Sequence, residues 1–68
     1  MVPDITSVTA REREILGCLV RGLSNKEIAK ALGLSPHTIR NQLQRLLERF
    51  GARNRVQLAL LARDNGFE

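Results

Sequence analysis

Residues 22–52 read GLSNKEIAKALGLSPHTIRNQLQRLLERFGA, and their punctuation decides how the chain is organised. Ser24 and Glu27 have capping-box spacing, in which each side chain satisfies a free backbone N–H of the other residue. A helix therefore begins at Ser24. Ile28, Ala29 and Leu32 form its inner stripe, and Gly33 stops it. A helix of about two turns does not persist alone in water, so packing has to hold it. A longer helix begins at Ser35, with Pro36 at the first helical position, where a missing N–H costs nothing. At about 100° per residue, Ile39, Leu43, Leu46, Leu47 and Phe50 fall within one arc, and Gly51 ends the helix. The two helices joined at Gly33-Leu34 make a helix-turn-helix. Ala29 is small where the helices approach, Gly33 can take positive φ without strain, and Leu34 and Ile39 can plug the angle.

Working outward, Thr9 and Glu12 repeat the capping box ahead of Ile15, Leu16, Leu19 and Val20, and Gly22 caps that helix. After Gly51, Asn54 and Gln57 form a weaker pair that starts a fourth helix running through QLALLAR to Gly66. The pattern predicts an all-α fold, a four-helix bundle in which helices two and three form the helix-turn-helix. Residues 1–8 read as a flexible lead-in, since Pro3 argues against regular structure there, and residues 9–66 as the domain. The fourth helix is apolar on two sides. Val56, Ala59 and Leu60 share one face; Leu58, Leu61 and Ala62 occupy another. A small domain cannot bury both faces in its own core, so Leu58, Leu61 and Ala62 are assigned to a partner. Over-packing of this helix into the core is the alternative.

At 68 residues the chain is a single small domain. Cys18 is the only cysteine, which excludes an internal disulfide and fits a reducing, cytoplasmic setting. Among Leu16, Leu19 and Val20 it reads as a small buried hydrophobe. The apolar runs are far shorter than the ~20 residues of a membrane span, and the start lacks the features of a signal peptide. With one histidine, one cysteine and scattered carboxylates there is no zinc ligand set and no triad, and no glycine-rich phosphate loop is present. Neither an enzyme nor a cofactor is expected. Trp and Tyr are absent and only Phe50 and Phe67 are aromatic, which weakens a single-strand or RNA role. The net charge is +4, and its location is informative. Residues 36–55 hold Arg40, Arg45, Arg49, Arg53 and Arg55 against Glu48 alone, whereas the rest of the chain balances. A localised basic excess suits a polyanion, although a solvated helix surface would show the same composition.

On the third helix, His37, Asn41, Gln44, Arg45 and Glu48 point away from the apolar arc, with Thr38 and Arg40 at its flanks. An α-helix fits the major groove of B-DNA. There Arg can bind guanine with two hydrogen bonds, and Asn or Gln can do so with adenine. Arg40, Asn41 and Gln44 are the candidate base contacts, near the N-terminal half of the helix, where such contacts usually lie. An ordinary polar surface is the alternative, since Arg and Gln are good helix formers. Phosphates call for cations, hydroxyls and free N–H groups. The candidates are Asn25 and Lys26 on helix two, Ser35, His37, Thr38 and Arg45 on helix three, and Arg53 and Arg55 before helix four. Capping alone also explains Ser35.

The segments TAREREIL, GLSNKEIAKALGLSPHTIRNQLQRLLERFGA and RNRVQLAL together resemble the LuxR-type helix-turn-helix domain, also called the GerE or LuxR/NarL type. The likeness spans residues 8 to about 62, and GLSNKEIA followed by S-x-x-T-I-R-N is a specific signature. The resemblance implies a four-helix bundle whose third helix enters the major groove of double-stranded DNA. It implies that Arg40, Asn41 and Gln44 face bases. It also implies backbone contacts near Asn25, Lys26, Thr38 and Arg45, and a homodimer made through helix four. Gln42 and Gln44 depart from the frequent histidine and basic residue, which bears on the preferred base sequence. Such domains usually form the C-terminal part of a larger regulator, after a receiver or small-molecule-binding domain, so the chain is expected to be the effector domain of a response regulator or else a minimal stand-alone regulator, with RNA polymerase as a further partner. An interaction module working through helix four is the second functional expectation, but it would not need an arginine-rich third helix.

Overall fold

A side-chain oxygen marks the start of every helix. The computed structural model describes residues 8–67, and within them four helices form and no strand does. They are α1 (Ala10–Val20), α2 (Asn25–Leu32), α3 (Pro36–Phe50) and α4 (Arg55–Asp64). Before α1, the Thr9 hydroxyl accepts the Glu12 N–H at 3.1 Å while the Glu12 carboxylate accepts the Thr9 N–H at 3.0 Å. Ser24 and Glu27 make the same reciprocal pair before α2. The Ser24 N–H holds the Glu27 carboxyl below its usual value. Ser35 caps α3 by accepting the Thr38 N–H, and Asn54 caps α4 by accepting the Gln57 N–H. Gln57 does not reach back to Asn54; its carbonyl oxygen accepts the Arg53 N–H instead.

The break between α2 and α3 is set by backbone torsion. Gly33 sits at φ 70° and ψ 33°, and its N–H and that of Leu34 both donate to the Ala29 carbonyl. A Cβ at Gly33 would meet nothing within 4 Å, so the requirement is conformational and not one of space. The turn redirects the chain so that α3 lies across α2. Helix α1 then packs on α4, α3 and α2, and α3 on α4.

Ile15 and Leu16 of α1, Ile28 and Ala29 of α2, and Ile39 and Leu46 of α3 meet at the centre of the core. Cys18 is buried there too, as expected of a small hydrophobe. Of the expected lead-in, residues 1–7 lie outside the described residues, and Val8 packs half-buried against the core. At the other end the core reaches past the expected limit at Gly66. Phe67 is buried edge-on to Phe50, with ring centroids 6.4 Å apart, and the Arg13 guanidinium lies 4.9 Å from its centroid.

Helix α4 corrects one expectation. Leu58 and Ala62 are 0% exposed and Leu61 is half-buried, so Leu58, Leu61 and Ala62 form the inner face. The outward apolar side chains are Val56 and Leu60, exposed by 68% and 45%. The inward face coincides with an anchor at the first residue of the helix. Arg55 donates from both terminal nitrogens, to the Asn25 side-chain oxygen and to the Leu23 carbonyl. At about 100° per residue, Arg55 shares a face with Leu58 and Ala62, so its contacts and their burial favour the same orientation.

One charge is taken into the core boundary. Glu12 is buried, and Arg49 of α3 donates to both its carboxylate oxygens, at 2.8 and 2.7 Å. Burial alone would raise the Glu12 pKa. The Thr9 N–H and the Arg49 hydrogen bond and charge outweigh it, and the net direction is downward. A carboxyl lowered in the folded state adds stability above its ordinary range, and that stability is lost as pH falls through it. Glu12→Gln should therefore destabilise the domain at pH 7 by about 1–3 kcal/mol in urea unfolding followed by circular dichroism. The deficit should shrink at pH 3, where the parent's Glu12 is protonated; an equal deficit at both pH values would dismiss the ion pair.

Candidate nucleic-acid interface

Helix α3 is held by the side it buries. Ile39, Leu43, Leu46 and Phe50 are all in the core, and this fixes what the opposite side presents. His37, Arg40, Asn41, Gln44, Arg45 and Glu48 are exposed, and Thr38 and Gln42 are half-buried. A shallow hollow lined by Thr38, Asn41, Gln42 and Arg45 runs along this surface. The side chains are partly organised by their neighbours. The Asn41 amide nitrogen lies 3.4 Å from His37 Nε2, one helical turn earlier. The Ser35 and Thr38 hydroxyls lie 2.9 Å apart, and the Ser35 oxygen also accepts the Thr38 N–H. Ser35 is thus first a cap, with its hydroxyl shared.

The cations divide into tied and untied. Arg49, part of the basic excess of residues 36–55, is paired with Glu12. Sequence spacing could not show this, because the partners lie 37 positions apart. Arg55 is half-buried and bound to Asn25 and Leu23, so both Arg55 and Asn25 first serve to join α4 to the start of α2. Both acceptors of Arg55 are neutral, so its charge is not cancelled. Lys26, Arg40, Arg45 and Arg53 are exposed and take part in no ion pair among the described residues. Lys26 stands in the first turn of α2, and Arg40 and Arg45 stand on the outward side of α3. Unpaired exposed cations of this kind, with Lys26 beside the N-terminus of α2, have the chemistry that suits an anion. No group of three or more His, Cys, Asp or Glu that could hold a metal occurs among the described residues.

A short helix, a glycine turn and a longer core-held helix with hydrogen-bonding side chains turned outward define a helix-turn-helix domain. Within that class the chain belongs to the luxR family of bacterial regulatory proteins, whose family model, GerE, matches residues 6–62. The transcriptional regulatory protein UhpA of Salmonella typhimurium is 46% identical over 52 residues, covering 76% of this chain and 26% of UhpA. The DNA-binding transcriptional activator DevR/DosR of Mycobacterium tuberculosis is 40% identical over 58 residues, covering 85% of this chain and 27% of that protein. A solved Vibrio cholerae VqmA dimer superimposes with a TM-score of 0.83 at 36% identity, over 98% of this chain and 32% of that one. The chain thus spans about a third or less of the length of these relatives. No helix among the described residues is long and apolar enough to cross a membrane.

The Arg55 anchor has a direct test. Arg55→Leu keeps the apolar stem and loses both hydrogen bonds. It should lower stability by about 1–3 kcal/mol in urea unfolding, with helix content kept below the transition. Arg55→Lys should recover little of the loss, because an ammonium lacks the planar fork that reaches two acceptors. Full recovery by lysine would mean that charge, not geometry, holds α4 to Asn25.

Proposed function

We propose that this domain reads double-stranded DNA by sequence, with α3 in the major groove, as the DNA-binding part of a transcription regulator. The observation that carries this is the two-sidedness of α3. Its Ile39, Leu43, Leu46 and Phe50 are buried in the core, while Arg40, Asn41 and Gln44 stand exposed on the solvent side. These side chains have the donor and acceptor pattern that guanine and adenine edges match in the major groove. Asn41 leans on His37, which leaves its carbonyl oxygen open for a base. Around them, Lys26, Thr38, Arg45 and Arg53, with His37 and Ser35, supply phosphate contacts, and Arg55 and Asn25 set the entry of α2. Relatives named as DNA-binding or transcriptional regulatory proteins support the same reading.

The domain works as a two-fold dimer through α4. The support is the outward apolar pair Val56 and Leu60, one turn apart, with Ala59 half-buried beside them. The similar VqmA chain is named as a dimer. One short helix offers far less than the ~1,200 Å² of a stable interface, so the two copies associate on DNA. Relatives named as transcriptional regulatory proteins support reading this domain as the DNA-binding part of a response regulator.

Selection of bound duplexes from a random pool, at moderate salt and high protein concentration, is expected to enrich a repeated half-site. A lone half-site would overturn the dimer, and retention without enrichment would leave a charge-driven binder. Point variants separate the two kinds of contact. Arg40→Ala should cost about 1–3 kcal/mol on the selected duplex and relax the preference at one base pair. Lys26→Ala should weaken binding to all duplexes alike and lower the salt slope by about one. Equal losses on every sequence for Arg40→Ala would remove Arg40 from the bases.

A further inference from the structure

A cavity of about 170 Å³ opens where the start of α2, the middle of α3 and the start of α4 converge. Its floor is apolar, made of Leu43, Leu47 and Leu58. Its rim is polar and donor-rich, made of Asn25, Arg40, Gln44 and Arg55, and no carboxylate lines it. Both cations are uncompensated. Among the described residues, Arg40 makes no ion pair, and the acceptors of Arg55 are an amide oxygen and a backbone carbonyl. A guanidinium carries five N–H donors, so Arg55 retains three beyond the two it uses, and Arg40 is open on its exposed side. Asn25 accepts from Arg55 through its oxygen and keeps its amide hydrogens.

We propose that this cavity binds a small amphipathic carboxylate, and that its occupation competes with DNA. The carboxylate meets Arg40 and Arg55, and a compact apolar body rests on Leu43, Leu47 and Leu58. Charge complementarity selects the anion, since two cations face an apolar floor with no acidic group to neutralise them. Size selects a fragment: drug-sized ligands take about 300–1,000 Å³, well above the volume here. Benzoate matches both requirements. Competition follows because Arg40 and Gln44 line the cavity and also stand among the groups assigned to bases; this part rests on the function proposed above.

The test is a titration of the isotope-labelled full chain by amide NMR, with benzoate as probe and no DNA present. Benzoate should shift the amide resonances of Arg40, Leu43, Leu47 and Arg55 in a saturable way. Benzyl alcohol, isosteric but neutral, should bind at least tenfold more weakly, and inorganic phosphate should leave the Leu43 and Leu47 amides in place. No saturable shift would overturn the site. Equal binding of benzyl alcohol would reduce it to an apolar crevice, and equal shifts from phosphate would reduce it to a DNA-phosphate contact. Leu47→Phe, which fills the cavity from its half-buried wall, should weaken benzoate at least tenfold. Arg40→Gln, an exposed change that spares the core, should do the same if Leu47→Phe does not fold, and undiminished binding in either folded variant would overturn the site. Saturating benzoate should then raise the apparent Kd for the selected duplex at least tenfold. Saturable NMR shifts with unchanged duplex affinity would keep the ligand site and refute the competition.

Discussion

The domain depends on the burial of one stripe of α3. Ile39, Leu43, Leu46 and Phe50 are buried together, Leu47 packs half-buried beside them, and α1, α2 and α4 all pack on α3. None of the four helices exceeds 15 residues, and the eight-residue α2 would not persist in water on its own. Stability therefore comes from mutual packing around α3. The same packing stops rotation of α3 about its axis, because turning it would expose the stripe. Fixing one side of a helix fixes the other, and this makes Arg40, Asn41 and Gln44 a surface of defined orientation.

Polar contacts refine what the core sets. Glu12 and Arg49 tie α1 to α3 across the bundle, and Arg55 ties α4 to Asn25 and Leu23 at the entry of α2. The first cancels a cation that charge alone would assign to a polyanion; the second holds the Arg55 guanidinium in place on neutral acceptors. The Arg55 contacts agree with the outward placement of Val56 and Leu60, because Arg55 shares a face with the buried Leu58 and Ala62. The donor-lined cavity beside Arg55 is a consequence of the same convergence of α2, α3 and α4.

Local signals in the sequence determined most of the architecture. Thr9, Ser24, Ser35 and Asn54 each cap a helix as their spacing implied, because an N-cap bond spans only three residues and is written in the sequence itself. Gly33 and Gly51 end helices in left-handed torsions that other residues resist. The outward placement of His37, Arg40, Asn41, Gln44 and Arg45 was legible too, since one dominant apolar arc on α3 leaves no choice of side. What escaped had a partner remote in the chain or two solutions of similar hydrophobicity. Phe67 has no periodic neighbours after α4, yet it docks on Phe50 and under Arg13. Arg49 and Arg55 looked like free cations until folding brought Glu12 and Asn25 beside them. On α4, Leu58, Leu61 and Ala62 compete with Val56, Ala59 and Leu60 on nearly equal terms. Periodicity reports that a face is apolar, but which apolar face turns inward depends on contacts that exist only once the four helices have met.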